Sequence, residues 1–157
     1  MKGAVIFHSK YGNCEQVARS IHKGLVDSGA EVTITDVKSA GAPGADLDFI
    51  VIGSPTRAGR ATGPVRKYLQ TVQGNAEKPR FAAFGTGLVR GLDKDAPDDI
   101  SADYIHKELE KKGLKPLAPP LKAKVNGWKG PVVKGELERA YDYGKELAGG
   151  ASVGAQA

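Results

Sequence analysis

The sequence predicts an α/β fold: a five-stranded parallel sheet, doubly wound, with helices on both faces in three layers. Three observations predict it. First, "AVIF" (residues 4–7) and "FIVI" (49–52) are apolar without alternation and are bounded by turn residues, which suits strands covered on both faces. Second, helical patterns stand between such runs, giving the order β-α-β-loop-β-α-β-α-β-α. That alternation implies parallel strands joined by crossovers. Third, the segments after strand ends, residues 8–14, 53–63 and 85–99, are where glycine and polar residues concentrate. Open parallel sheets bind ligands outside the carboxyl ends of their strands.

Each element has its own signal. After the strand at 4–7, Val17, Ile21 and Leu25 recur every four residues. Ala18 and Val26 widen the stripe, and Gly29 supplies a stop. "EVTITDV" (31–37) alternates Val32 and Ile34 with Thr33 and Thr35, as an edge strand with one wet face does. The crossover "KSAGAPGADLD" has room for no more than a turn of helix. After the strand at 49–52, Pro64 opens a helix with Val65, Tyr68, Leu69 and Val72 on one face. "RFAAFG" (80–85) is the fourth strand. Ser101 is placed to cap a helix carrying Tyr104, Ile105 and Leu109, which Gly113 ends. "LKAKVNGW" (121–128) is a weaker fifth strand, and a last helix runs from about Lys134 to Leu147. The domain is read as residues 1–148, with 149–157 a flexible tail. No internal repeat or second domain is visible.

The chain has 157 residues, enough for one domain with its own core. Its single cysteine, Cys14, excludes an internal disulfide framework and suits a reducing, cytoplasmic compartment. No signal peptide is read at the N-terminus, and no stretch reaches the ~20 apolar residues of a membrane span. His8, His22 and His106 lie far apart and lack ligand spacing with Cys14, so no metal site is expected. The net charge is +5 and the pI about 9.3, a balance that favours anionic partners without choosing among them.

The first loop, Ser9-Lys10-Tyr11-Gly12-Asn13-Cys14, runs straight into a helix. Backbone amides, the Ser9 hydroxyl and the Asn13 amide can converge there beside the partial positive charge of the helix N-terminus. Such a turn holds a phosphate without an arginine. An ordinary strand-to-helix turn, with serine and asparagine as caps, fits the same residues. Two other phosphate motifs fail. "GSPTRAGR" has the glycine interval of a P-loop but Arg60 where Lys-Ser/Thr must begin, and "GTGLVRG" puts Arg90 at the third glycine of a dinucleotide fingerprint.

These residues resemble the flavodoxins. That family's phosphate loop has the form Ser/Thr-x-Thr/Ser-Gly-Asn-Thr after the first strand, where this chain has Ser9 to Cys14. "GSPTRAG" (53–59) is similar to the loop after the third strand, and "GTGLVRG" (85–91) occupies the place of the third flavin loop. Element order agrees over about residues 2–148. The resemblance implies the strand order 2-1-3-4-5 and FMN as cofactor. Ser9, Lys10, Tyr11, Gly12, Asn13 and Cys14 would lie at the phosphate. Ser54, Pro55, Thr56, Arg57, Ala58 and Gly59 would lie along one side of the isoalloxazine ring. Gly85, Thr86, Gly87 and Leu88 would approach its other edge.

Departures from the family's pattern are specific. Cys14 replaces threonine, and a thiol is a weak donor. Its bland role is a near-isosteric substitute; its sharper one is a thiol acidified by the helix N-terminus. No aromatic residue is evident in the second or third loop to stack on the ring, so either FMN binds with modest affinity or the ring is open to a second planar molecule. Trp128 stands after the fifth strand, more in keeping with packing. Arg57, Arg60, Arg66 and Lys67 cluster near the second loop, against the acidic habit of many flavodoxins. Asp93, Asp95, Asp98 and Asp99 partly offset them.

The resemblance implies an FMN-binding redox protein, most simply an electron carrier. The alternative is an FMN-dependent NAD(P)H:quinone reductase or a quinone-coupled porphyrinogen oxidase-like enzyme. Expected partners are a redox protein or a small anionic, planar electron acceptor. A receiver domain would need acidic residues where His8-Ser9 and Gly53-Ser54 stand. The lysines of the later third read as a solvated face rather than a nucleic-acid surface.

Overall fold

The computed structural model describes residues 1–88, 100–127 and 129–156, the last six by backbone alone. Asp93, Asp95, Asp98, Asp99, Arg90 and Trp128, all weighed in the sequence, lie outside the described residues.

The elements are β1 (Lys2–Phe7), α1 (Asn13–Asp27), β2 (Glu31–Asp36), β3 (Phe49–Arg57), β4 (Arg60–Ala61), α2 (Gly63–Leu69), β5 (Arg80–Leu88), α3 (Ser101–Lys111), β6 (Leu121–Val125) and α4 (Glu136–Gln156). Five parallel strands run in the order β2-β1-β3-β5-β6, and β4 pairs antiparallel with the end of β3. The expected doubly wound sheet and order 2-1-3-4-5 are therefore present, with one short strand added. No helix intervenes between β2 and β3.

The central strands alternate between two cores. Val5, Phe7, Phe49 and Val51 pack with Val17, Ile21 and Leu25 of α1 and with Leu147 of α4. Ala4, Ile6, Ile50 and Ile52 face the other way, with Val65 and Leu69 of α2 and Ile105 and Leu109 of α3. This is why "AVIF" and "FIVI" have no polar face: each neighbouring pair of residues serves two apolar layers. Burying one such side chain contributes about 1.5–3 kcal/mol. Gly3 pairs in register with Phe49, and Gly53 with Phe84. A methyl on either glycine would run into the partner's ring.

Several sequence-based boundaries need correction. β3 and β5 run past their apolar runs, to Arg57 and Leu88, because backbone pairing continues after the core ends. Residues 53–63 are thus a strand end and a hairpin rather than a loop. Ser101 does not cap α3. It is the first helical residue; its amide donates to Thr56 Oγ1 at 3.0 Å and its hydroxyl to the Ser54 carbonyl at 2.6 Å. α4 begins at Glu136 and continues to Gln156, through the segment read as a flexible tail. Leu147 and Ala148 are buried there, and Arg80 Nη1 donates to the Gly150 carbonyl at 3.4 Å, so tertiary contacts extend the helix past its apolar stripe.

Candidate functional site

The carboxyl ends of β1, β3 and β5 open on one cleft of about 330 Å³. Ser9, Lys10, Tyr11, Asn13 and Cys14 line it from the first loop and α1. Pro55, Thr56, Arg57 and Gly59 line it from the β3–β4 hairpin, and Thr86, Gly87 and Leu88 from the end of β5. Four residues expected at the site do not line this cleft: Gly12, Ser54, Ala58 and Gly85.

Each of the four has a local role. Gly12 is the N-cap of α1 at φ 91°, a left-handed conformation that turns the chain into the helix. Ser54 is fully buried; its oxygen accepts from the Thr62 amide at 2.9 Å and donates to the Pro55 carbonyl at 2.7 Å. That ties the hairpin to the start of α2. Ala58 and Gly59 form the two-residue turn, at φ 50° and 74°. Positive φ at both positions is the type I′ geometry that suits the twist of a hairpin. Gly85 gives way to α3: a methyl there would meet Ser101 Oγ.

The first loop gathers hydrogen-bond donors at the start of α1. Ser9 Oγ accepts from the amides of Gly12 and Glu15 at 3.1 and 3.2 Å. A hydroxyl has two acceptor positions and one donor, so both of its lone pairs are used and its proton is left to donate. Asn13 and Cys14 occupy the first two helical positions, where amides have no acceptor within the helix. Asn13 is buried against Gly130, whose φ of 95° and missing side chain admit the amide. Cys14 is 1% exposed, and burial pushes its thiol well above the ordinary range. The bland role as a threonine substitute fits; an acidified, oxidisable thiol does not.

Among the described residues the apolar walls of the cleft are aliphatic. Pro55, Leu88, Ile100 and Val125 supply them, and the aromatic rings among the described lining residues are His8 and Tyr11. Tyr11 is 45% exposed, with Lys10 Nζ 5.4 Å from its ring centre. Thr56 is committed to the scaffold: its hydroxyl donates to the Thr86 carbonyl at 2.8 Å, joining β3 to β5 at the cleft floor.

Five lining residues escaped the sequence reading: His8, Thr62, Ile100, Val125 and Gly127. His8 Nδ1 and Thr62 Oγ1 are 2.7 Å apart. Burial first, then the charges of Lys38 and Arg57, hold the His8 imidazole below its usual range, against the opposing pull of Asp36. The position of His8 at a strand end was a usable signal. Ile100, Val125 and Gly127 arrive from distant segments, and nothing local marks them.

Residues 4–126 match the Flavodoxin domain family. The chain belongs to that family. The phosphate-type loop, the apolar slot and the three strand ends fit the family's cofactor, FMN. Flavodoxin 1 from Bacillus cereus is 20% identical with a TM-score of 0.75, over 95% of this chain and 98% of that one. Rubredoxin oxygen:oxidoreductase from Desulfovibrio gigas reaches 0.80 at 20% identity, over 99% of this chain and 37% of that one. An NAD(P)H dehydrogenase (quinone) of Brucella ovis is 30% identical over 95 aligned positions, and the match covers 47% of this chain and 48% of that protein. The chain thus spans half or less of the length of the curated relatives it matches. No helix among the described residues is long and apolar enough to cross a membrane.

Proposed function

We propose that the chain is a flavodoxin-type electron carrier that holds FMN in this cleft. One observation carries the reading: the phosphate-type loop, the hairpin and the end of β5 share a single cleft. Ser9, with the amides around Lys10, Tyr11, Gly12, Asn13 and Cys14, would hold the phosphate. Pro55, Thr56 and Arg57 would lie on one side of the ring, and Thr86, Gly87 and Leu88 at its other edge. Ser54, Ala58, Gly59 and Gly85 would shape the backbone that approaches it. The cofactor supplies the redox chemistry, so the protein needs only to bind, orient and shield. Cys14 is a buried neutral thiol and Thr56 is hydrogen-bonded into the scaffold, so neither is poised as a nucleophile.

Its partner is read as a redox protein or a small anionic, planar acceptor, and its compartment as the reducing cytoplasm. The enzymatic alternative, an FMN-dependent NAD(P)H:quinone reductase or porphyrinogen oxidase-like protein, gains weight from the Brucella ovis relative. NAD(P)H consumption on adding quinone separates enzyme from carrier.

The test of the reading is an FMN titration followed by flavin fluorescence. Saturable quenching is expected, and Gly12→Ala should weaken binding by up to about tenfold, because the free loop can relax out of a left-handed turn that costs alanine about 1–2 kcal/mol and that binding would have to restore. No binding at micromolar FMN would overturn the assignment.

A further inference from the structure

A second cavity of about 310 Å³ adjoins the cleft and shares His8, Arg57 and Thr62 with it. Three guanidinium groups line it: Arg57 from β3, Arg60 from β4 and Arg66 from α2. Among the described residues no carboxylate lines it. Among the described residues, Arg57, Arg60 and Arg66 make no ion pair, whereas Arg19 and Arg139 pair with Glu15 and Glu136.

Two features go against the ordinary economy of folding. Arg57 and Arg60 are directly paired across the hairpin, and like charges in that position repel. Arg66 Nε is buried and has no hydrogen-bond partner among the described residues, although buried donors are normally satisfied. An oxyanion in the cavity would relieve both. It would also find the planar, forked donors that suit carboxylate and phosphate geometry.

We propose that this cavity is an anion subsite for the carboxylate or phosphate arm of a small planar electron acceptor, whose ring would lie beside the flavin at the mouth of the adjoining cleft. The inference rests on the reading of that cleft as the FMN site. A small acceptor is favoured over the acidic face of a protein because the charged groups converge on a cavity rather than spread over a flat surface. The shared wall of His8, Arg57 and Thr62 makes the subsite continuous with the cofactor cleft, so an arm held here leaves the attached ring at the edge of that cleft.

The test uses the FMN-loaded chain and two probes of equal shape, anthraquinone-2-sulfonate and its neutral sulfonamide. Calorimetry should show the sulfonate bound about tenfold more tightly, as one good charge-assisted contact gives. The Arg60→Gln/Arg66→Gln double variant should lose that preference while keeping its FMN affinity. Equal binding of the two probes by the native chain, or a preference that survives in the double variant, overturns the proposal. Phosphate and acetate as competitors tell a phosphorylated arm from a carboxylated one, and failure of both to weaken the sulfonate also overturns it. FMN titrations of the same samples are read separately. If FMN does not bind, the cofactor reading fails, and the sulfonate preference is then measured on the flavin-free chain.

Discussion

Ala58 is the one described non-glycine residue at positive φ, 50°, and it sits in the hairpin that carries Arg57 and Arg60. An alanine there pays a steric cost that asparagine or glycine largely avoids. Ala58→Asn is expected to stabilise the fold by about 0.5–1 kcal/mol, read as a higher urea midpoint at unchanged slope. His8 gives a pH signature. Its folded pKa is depressed, while the unfolded chain titrates near the ordinary ~6.5. Below that value the unfolded state takes up a proton that the folded state refuses, so stability falls with pH until the folded imidazole also protonates. The urea midpoint should drop between about pH 7.5 and 5.5, and His8→Gln should remove that share of the drop. An unchanged pH profile in the variant would count against the assignment.

At the scale of elements, the contact between α1 and α4 depends on two glycines. A methyl at Gly24 would run into the Tyr141 carbonyl, and one at Gly144 into the Ile21 carbonyl. The obstacle in both cases is backbone, which cannot swing aside. Gly144→Ala should cost about 1–3 kcal/mol as overpacking does. Gly149→Ala, on the same helix with nothing nearby, should be neutral or stabilising by up to about 1 kcal/mol. Thermal melts of the pair separate packing from helix propensity. The exposed edge of β6 is managed differently. The Val133 amide donates to the Lys124 carbonyl at 2.9 Å, and Glu136 accepts from the Lys124 amide at 2.8 Å. Arg139 reaches back to both Glu136 and the Lys122 carbonyl. The edge is thereby covered against pairing with another chain.

Across the whole molecule, the net charge of +5 would meet the cofactor at Arg57, which lines the cleft. A positive charge ~4–6 Å from a developing anion is worth about 3–4 kcal/mol at an effective dielectric near 20, before screening. Solvent exposure and salt reduce that to about 1 kcal/mol, or about 40–60 mV for one electron. The chain is therefore expected to be a weaker reductant than acidic flavodoxins. Arg57→Ala should lower the second-electron potential by about that amount in a redox titration, and an unmoved potential would remove Arg57 from the account.

The layers, the order of elements and the polar turn into α1 are legible in local pattern. Apolar periodicity and turn chemistry are local, and Ser9, Gly12 and Asn13 lie within one turn of each other. Tertiary structure decided where those elements end and what completes the cleft. β3 runs on to Arg57 because β5 stays beside it to Pro55 and β4 then pairs with Thr56 and Arg57, and α4 runs on past Ala148, where Arg80 donates to the Gly150 carbonyl. Ile100, Val125 and Gly127 join the cleft from segments far along the chain. The pairing of Arg57 with Arg60, and the burial of Arg66 Nε beside them, needed the hairpin and α2 to meet. Local patterns fix which way a residue faces within its element; only packing between elements fixes which other side chains it meets.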